Sequence, residues 1–196
     1  MASKKRFGWV KWVVLGVVIL LAVLAFPAVW TGPVKAPASA ALSNGKQIHL
    51  ATAMLVTDGT LNNDKNLGWP GDLKARGAIS TLSDFVNRLV EYDYLKQGDL
   101  WVFSGPGLPP PKAGAPFEDK NCIFKVFLVT EDDPGDTVFL MTKNAVADKL
   151  GYVVIVRKGG DYGRYKKDSE FLKTLRFPGN TAEESAENCL NPDPGE

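Results

Sequence analysis

The chain contains few side chains that could take part in catalysis. Its 196 residues include one histidine, His49, and two cysteines, Cys122 and Cys189. His49 and Cys122 could supply the imidazole and the thiolate of a nucleophilic pair, but no signature flanks them and no third residue is placed to orient the imidazole. The sequence therefore favours His49 as an exposed polar residue, and it predicts no catalytic residue, no cofactor and no metal site.

The two cysteines lack the CxxC or Cys/His spacing of a zinc site. In a domain outside the cytoplasm, such a pair can form one disulfide. The sequence therefore predicts a bond between Cys122 and Cys189. The alternative is two unrelated thiols, one of them in the C-terminal tail.

Four carboxylates lie close together in one turn, in the stretch "EDDPGD". They are Glu131, Asp132, Asp133 and Asp136. Carboxylate oxygens are calcium ligands, but this spacing matches no calcium-binding loop. The sequence favours a solvated turn and leaves open whether the stretch from Asp132 to Asp136 binds calcium.

Two further stretches suggest binding surfaces. "KGGDYGRYKK", residues 158–167, mixes basic and aromatic side chains as single-stranded nucleic-acid surfaces do; the favoured interpretation is a hairpin edge whose charges discourage strand addition. "GPGLPPPKAG", residues 105–114, could form a polyproline segment for an aromatic-lined partner. A plain surface loop is the favoured interpretation there, and no nucleic-acid partner is predicted.

The elements that would position these residues begin with an uncharged segment. Residues 12–34 contain no charged side chain, and Trp12 to Trp30 is long enough for a helix across about 30 Å of hydrocarbon. The preceding residues, 1–11, contain four Lys and Arg. By the positive-inside rule, this pattern predicts a single-pass protein of the bacterial inner membrane, in contact with membrane lipid, with a cytoplasmic N-terminus and a periplasmic C-terminal domain. A cleaved signal peptide is less favoured, because "AFPAVWTGP" is a poor cleavage site.

The next segment, residues 35–58, has apolar residues at steps of three and four, among them Leu42, Ile48 and Leu55. This spacing predicts an amphipathic helix, and Asp58-Gly59 supplies its stop signal. Residues 59–196 then form the globular domain, with a second helix in 80–99, a short strand at "LWVF", and strands in 123–130, 137–143 and 151–160. A polar, acidic and loosely held tail follows. Because helices precede strands, the sequence predicts an α+β fold with an antiparallel sheet.

This order of parts resembles the type IV pilin and type II secretion pseudopilin family. The resemblance is carried by "LSNGKQIHLATAMLVTDG" after the uncharged segment and by Pro27 in "LAFPAV", and more loosely by "WVFSGPG", "FKVFLVTEDDPGDTVFLMTKN" and "GYVVIVRKGGD". It implies a pilin-like fold, in which one long N-terminal transmembrane and spine helix packs on a small antiparallel β-sheet domain.

The resemblance also implies a leader peptide. Family members carry a basic leader that is cut after a glycine, and the matching positions here are Gly8 and Trp9, although Val13 replaces the family's glutamate. Small residues favour close helix approach. The small residues expected at such contacts are Gly16, Ala22 and Ala25. Together with Pro27 and the apolar residues Leu42, Ile48 and Leu55, they are the residues expected to pack the N-terminal helix.

Two functional hypotheses follow. The first is a non-enzymatic structural subunit or assembly factor of a type II secretion or type IV pilus-like system, with other pilin-like subunits and an inner-membrane assembly platform as partners. The second is a membrane-tethered extracytoplasmic binding module that does not polymerise.

Overall fold

The computed structural model describes residues 37–105, 108, 117–181 and 185–193, and in these a helix packs on an antiparallel sheet. The described residues belong to the unit that spans Ala36–Glu196. The predicted segments 1–11 and 12–34 lie outside the described residues.

The longest described helix, α1, spans Pro37–Asn62. One face is buried against the sheet because Ala41, Ile48 and Leu55 recur at helical spacing. Gly45 lies on the same face, where an added Cβ would come within 2.9 Å of the Val156 side chain. The sequence thus predicted the inner face of α1 correctly.

The predicted helix stop at Asp58-Gly59 is wrong by several residues. Gly59 remains helical, and a Cβ added there would lie 2.7 Å from the Leu67 carbonyl oxygen. The helix ends instead at Asn62, before Asn63 takes a positive φ of 51°. The missing side chain of Gly59 therefore allows the following loop to pack closely against the helix, and Gly59 does not form the turn that ends the helix.

Two shorter helices follow, α2 at Pro70–Ala75 and α3 at Leu82–Glu91. Thr81 begins α3 with a capping box, in which its hydroxyl accepts from the Asp84 amide and the Asp84 carboxylate accepts from the Thr81 amide. The Ser80 amide also donates to the Asp84 carboxylate, and the hydrogen bonds from the Ser80 and Thr81 amides lower the pKa of Asp84. The helix predicted in 80–99 is therefore shorter, and the strand predicted at "LWVF" is wrong, since Gln97–Phe103 is a 3-10 helix.

The sheet has four strands in the order β1-β2-β3-β4, and all neighbours are antiparallel. They span Phe124–Val126, Val138–Thr142, Tyr152–Arg157 and Tyr162–Lys166. A seven-residue helix, α4 at Asn144–Leu150, joins β2 to β3 and ends at Gly151, whose φ of 68° suits glycine. The sequence did not predict α4.

The two faces of the sheet bury different clusters. Val154 and Val156 of β3 point toward α1, whereas Val153 and Ile155 point to the opposite face. That opposite face is covered by α4 and by the C-terminal segment, which contributes Leu175, Phe177 and Cys189. The sheet therefore lies between a helical layer and a largely irregular layer.

The expectation of a loosely held tail is wrong for its described part. The Leu190 amide donates to the Val126 carbonyl at 2.9 Å, and the Asn191 amide group bonds to Phe124 and Val126 of β1. Asp193 accepts from the ammonium of Lys125, a fully buried side chain, at 2.9 Å. The tail therefore covers the outer edge of β1.

The predicted fold class is wrong in its membrane part. The α+β architecture and the antiparallel sheet are present, but none of the helices in the described ranges is both long and apolar enough to cross a bilayer. Even α1 contains two charged side chains, Lys46 and Asp58. The predicted single-pass location in the inner membrane is contradicted by the same finding.

We expect the Lys125–Asp193 pair to make a large contribution to stability. Asp193→Ala removes a carboxylate partner of a buried ammonium, so the free energy of unfolding should fall by about 3–5 kcal/mol. The double variant Lys125→Met/Asp193→Asn should recover part of this loss. Urea unfolding of the purified full-length protein checks both values, and a loss below about 1 kcal/mol for Asp193→Ala would show that the pair is unimportant.

Candidate functional site

His49 is half-buried and hydrogen-bonded rather than exposed as predicted. Its Nε2 lies 2.8 Å from the carbonyl oxygen of Lys158. A carbonyl oxygen only accepts, so Nε2 carries the hydrogen and donates it. The ring also lies 6.1 Å from the Trp69 ring and 6.0 Å from the Phe139 ring. His49 thus contacts three segments outside α1, at Trp69, Phe139 and Lys158, and its Nε2–H group is already used in a hydrogen bond.

The turn between β3 and β4 is shaped to receive this ring. Gly160 has a φ of 92°, and a Cβ added there would lie 3.3 Å from the His49 ring. Gly159 donates to the Gly135 carbonyl at 2.7 Å, which holds the acidic turn against the same hairpin. The two glycines therefore permit both contacts.

Lys158 occupies the centre of the acidic turn. Its ammonium donates to the carbonyl oxygens of Glu131 and Asp133 and lies 5.9 Å from the centre of the Trp69 ring. Backbone carbonyls and carboxylates of this kind are also what calcium binds. A side-chain cation that is part of the fold therefore takes the position in which a metal ion would meet these carbonyls.

Two of the four carboxylates of the turn also make structural bonds. Asp133 accepts from both the amide and the hydroxyl of Thr130, and Asp136 pairs with Arg176 at 3.2 Å. Among the described residues, no group of three or more His, Cys, Asp and Glu side chains is placed to hold a metal ion. The geometry thus supports a structural turn.

The stretch "GWPGD", residues 68–72, packs against the backbone at the start of the acidic turn. Gly71 donates to the Val129 carbonyl at 2.9 Å, and a Cβ added there would lie only 2.3 Å from the Leu128 carbonyl oxygen. Asp72 accepts from the Glu131 amide at 2.9 Å. Desolvation by burial outweighs this bond and raises the pKa of Asp72.

The cysteines do not form the predicted disulfide. Among the described residues, Cys122 and Cys189 are both buried thiols. They belong to different clusters, with Cys122 on the α1 side of the sheet and Cys189 on the opposite side. Cys122 donates to the Phe124 carbonyl, and burial raises its pKa to about 12. It is therefore not the thiolate that a nucleophile requires.

The outward face of α1 is apolar and exposed. Leu50, Met54 and Leu61 expose 61%, 51% and 76% of their surface, and Thr57 is exposed beside them. These four residues, the outer stripe, lie on one side of the helix because they are three or four positions apart. The stripe was not predicted, although its spacing is present in "LATAMLVTDGTL".

The two charged side chains of α1, Lys46 and Asp58, lie at the margins of the outer stripe, each within one turn of a stripe residue. Lys46 lies over the Tyr162 ring at 3.4 Å, and Asp58 accepts from the Tyr94 hydroxyl at 2.6 Å. His49 points inward, as described above. The stripe is thus an uncharged surface with polar contacts at its margins.

The remaining predicted residues divide into two sets. Ile48 and Leu55 are fully buried under the sheet, and Leu42 is half-buried against the same cluster, so all three pack within the domain. The others lie outside the described residues: Gly8, Trp9, Gly16, Ala22, Ala25 and Pro27. Most of the proline-rich stretch 105–114 also lies outside them.

A comparison with known protein families, characterised proteins and solved structures found no match for this chain.

We expect Gly71→Ala to destabilise the protein, because the new methyl group would collide with the backbone of residue 128. Overpacking of this kind costs about 1–3 kcal/mol. Gly98→Ala is a matched control, since a Cβ at Gly98 meets no atom within 4 Å. Thermal and urea unfolding should separate the two variants; equal stabilities would show that the close approach is unimportant.

We expect Lys158 to make the acidic turn independent of metal. Addition of calcium or of a chelator should leave the Tm of the wild-type protein unchanged. Lys158→Met should lower the free energy of unfolding by about 1–3 kcal/mol, because two carbonyls lose their donor. Lys167→Met removes an exposed ion pair with Asp148 and should cost less than about 1 kcal/mol. A calcium-dependent Tm in the wild type would contradict this account.

Proposed function

We propose that the protein is a non-enzymatic structural subunit or assembly factor of a type II secretion or type IV pilus-like system. In this proposal it acts by packing α1 against neighbouring subunits, and it carries out no chemistry. Its partners are other copies or pilin-like homologues, which an assembly platform brings together.

The outer stripe of α1 is the observation that supports this proposal most directly. One face of the helix is buried against the sheet, and the other exposes Leu50, Met54 and Leu61 to solvent. Large apolar residues grouped on one exposed surface are typical of interaction sites. A helix with two apolar faces has one for its own domain and one for a partner.

A second copy of this chain fits the stripe best. The stripe contains no charge, so a partner that covers it should also be uncharged, because a buried unpaired charge is costly. The chain itself offers one such surface in the stripe, and residues 12–34 of its sequence likewise contain no charged side chain. A neighbouring copy therefore brings matching apolar side chains without desolvating a charge.

The contacts of the reactive side chains agree with a structural role. His49 donates to Lys158, Cys122 is a protonated buried thiol, and Asp133 is held by Thr130. Each group is thus committed to holding the fold together. No pair of these groups forms the hydrogen-bonded nucleophile and base that covalent catalysis uses.

The test is self-association of the full-length protein. Leu50→Glu and Met54→Glu place a charge on the stripe without disturbing the core, so association should weaken by at least about tenfold. Ala145→Glu makes a comparable change at an exposed position of α4 and should have no effect. Sedimentation velocity measures the association constants, and circular dichroism confirms that each variant is folded.

Crosslinking in cells tests the same surface in its natural setting. Leu50→Cys and Met54→Cys should form covalent dimers, or adducts with a pilin-like partner, where an assembly system is expressed. If both variants stay monomeric in cells and the purified wild-type protein does not self-associate, the protein is instead a binding module that does not polymerise.

A further inference from the structure

The two edges of the sheet differ in cover and in charge. At the β1 edge, residues 188–191 bond to the strand, so the C-terminal segment lies outside β1. At the other edge, β4 pairs with β3, and within the described residues no segment pairs with its outer side. The open edge of β4 is therefore available for another strand.

The β4 edge is basic. Residues 157–168 contain five Lys and Arg against two Asp. Tyr162, Arg164 and Lys166 alternate along the strand, so they lie on one face, and all three are exposed. Arg164 is held in place by the Ser39 hydroxyl at 3.3 Å and by the Tyr152 ring. We call these three side chains the basic row.

The segment at the opposite edge is acidic. Residues 181–196 contain five carboxylates and neither Lys nor Arg. Within the described part of this segment, Asp193 is paired with Lys125, whereas Glu187 is exposed next to the residues that bond to β1. The covered edge thus has one exposed carboxylate, Glu187, in a segment whose sequence is acidic.

We infer that the basic row and open edge of β4 bind the C-terminal segment of a second copy. This contact rests on the proposed function, since it adds a second surface to a self-assembling subunit. It is heterologous, because the two surfaces lie at opposite edges of each copy. Such contacts continue from copy to copy and produce rings or filaments.

Charge explains why β4 selects this partner. Two β4 edges placed side by side would bring Arg164 and Lys166 against the same cations, and like charges suppress that pairing. The acidic C-terminal segment of another copy would instead place carboxylates against Arg164 and Lys166, and these opposite charges attract. The contact should therefore weaken with salt, unlike the apolar contact of α1.

The experiment measures association between full-length copies at about 50 mM and about 500 mM NaCl, which differ several-fold in screening length. A fluorescent copy is titrated with unlabelled protein. Arg164→Glu/Lys166→Glu should weaken association at least about tenfold at low salt and remove most of its salt dependence. Lys149→Glu, on exposed α4, is the control and should have little effect.

A charge exchange tests the pairing itself. A copy with Arg164→Glu/Lys166→Glu should bind a Glu187→Lys copy about threefold better than it binds the wild type. Glu170→Lys, at another exposed glutamate, should give no such recovery. No recovery with Glu187→Lys would overturn the proposed pairing.

The outcomes also separate this inference from the proposed function. If the β4 variant leaves association and its salt dependence unchanged, the inference fails while α1 packing stands. If Leu50→Glu has no effect but the β4 variant does, α1 packing fails instead. If copies do not associate and a labelled oligothymidylate binds the basic row, the row is a nucleic-acid surface and the inference is overturned.

Discussion

The hydrogen bond from His49 to the Lys158 carbonyl links the helical layer of this protein to its sheet. It crosses 109 positions of sequence and sets where the β3–β4 turn lies against α1. The Lys158 side chain then extends from the same residue into the acidic turn between β1 and β2. Trp69 and Phe139 enclose the ring, with their own centroids 5.5 Å apart. Four segments distant in sequence therefore depend on one residue pair.

The side chains that could take part in chemistry also make contacts that hold this fold together. A lone histidine, an acidic turn and a buried thiol could each belong to a reactive site. In this fold each makes a structural contact: the histidine donates to a backbone carbonyl, the carbonyls of the acidic turn accept from an ammonium, and the Cys122 thiol is fully buried. Among the described residues, the outward face of α1 exposes large apolar side chains, and the outer edge of β4 pairs with no other strand. Both features suit contacts with other proteins.

Much of the fold could be predicted from local sequence. The inward face of α1 follows from the spacing of Ile48 and Leu55, and β2 and β3 follow from short apolar runs bounded by turn residues. The strand expected at "LWVF" became a 3-10 helix, because apolar runs of four do not distinguish the two conformations. The helix stop at Asp58-Gly59 failed because Gly59 makes room for Leu67, a contact that no local rule contains.

The sequence by itself determined the α+β architecture with an antiparallel sheet, the inward face of α1 and the scarcity of catalytic side chains, since these depend on composition and on periods of two or a few residues; the membrane part of the predicted fold class was wrong. Only the tertiary structure decided that His49 is a packed donor, that Lys158 fills the acidic turn, that the two cysteines lie in different clusters and that the tail covers β1. The reason is that these contacts join residues tens of positions apart. Their partners are set by how the layers pack, and periodicity carries no information about that.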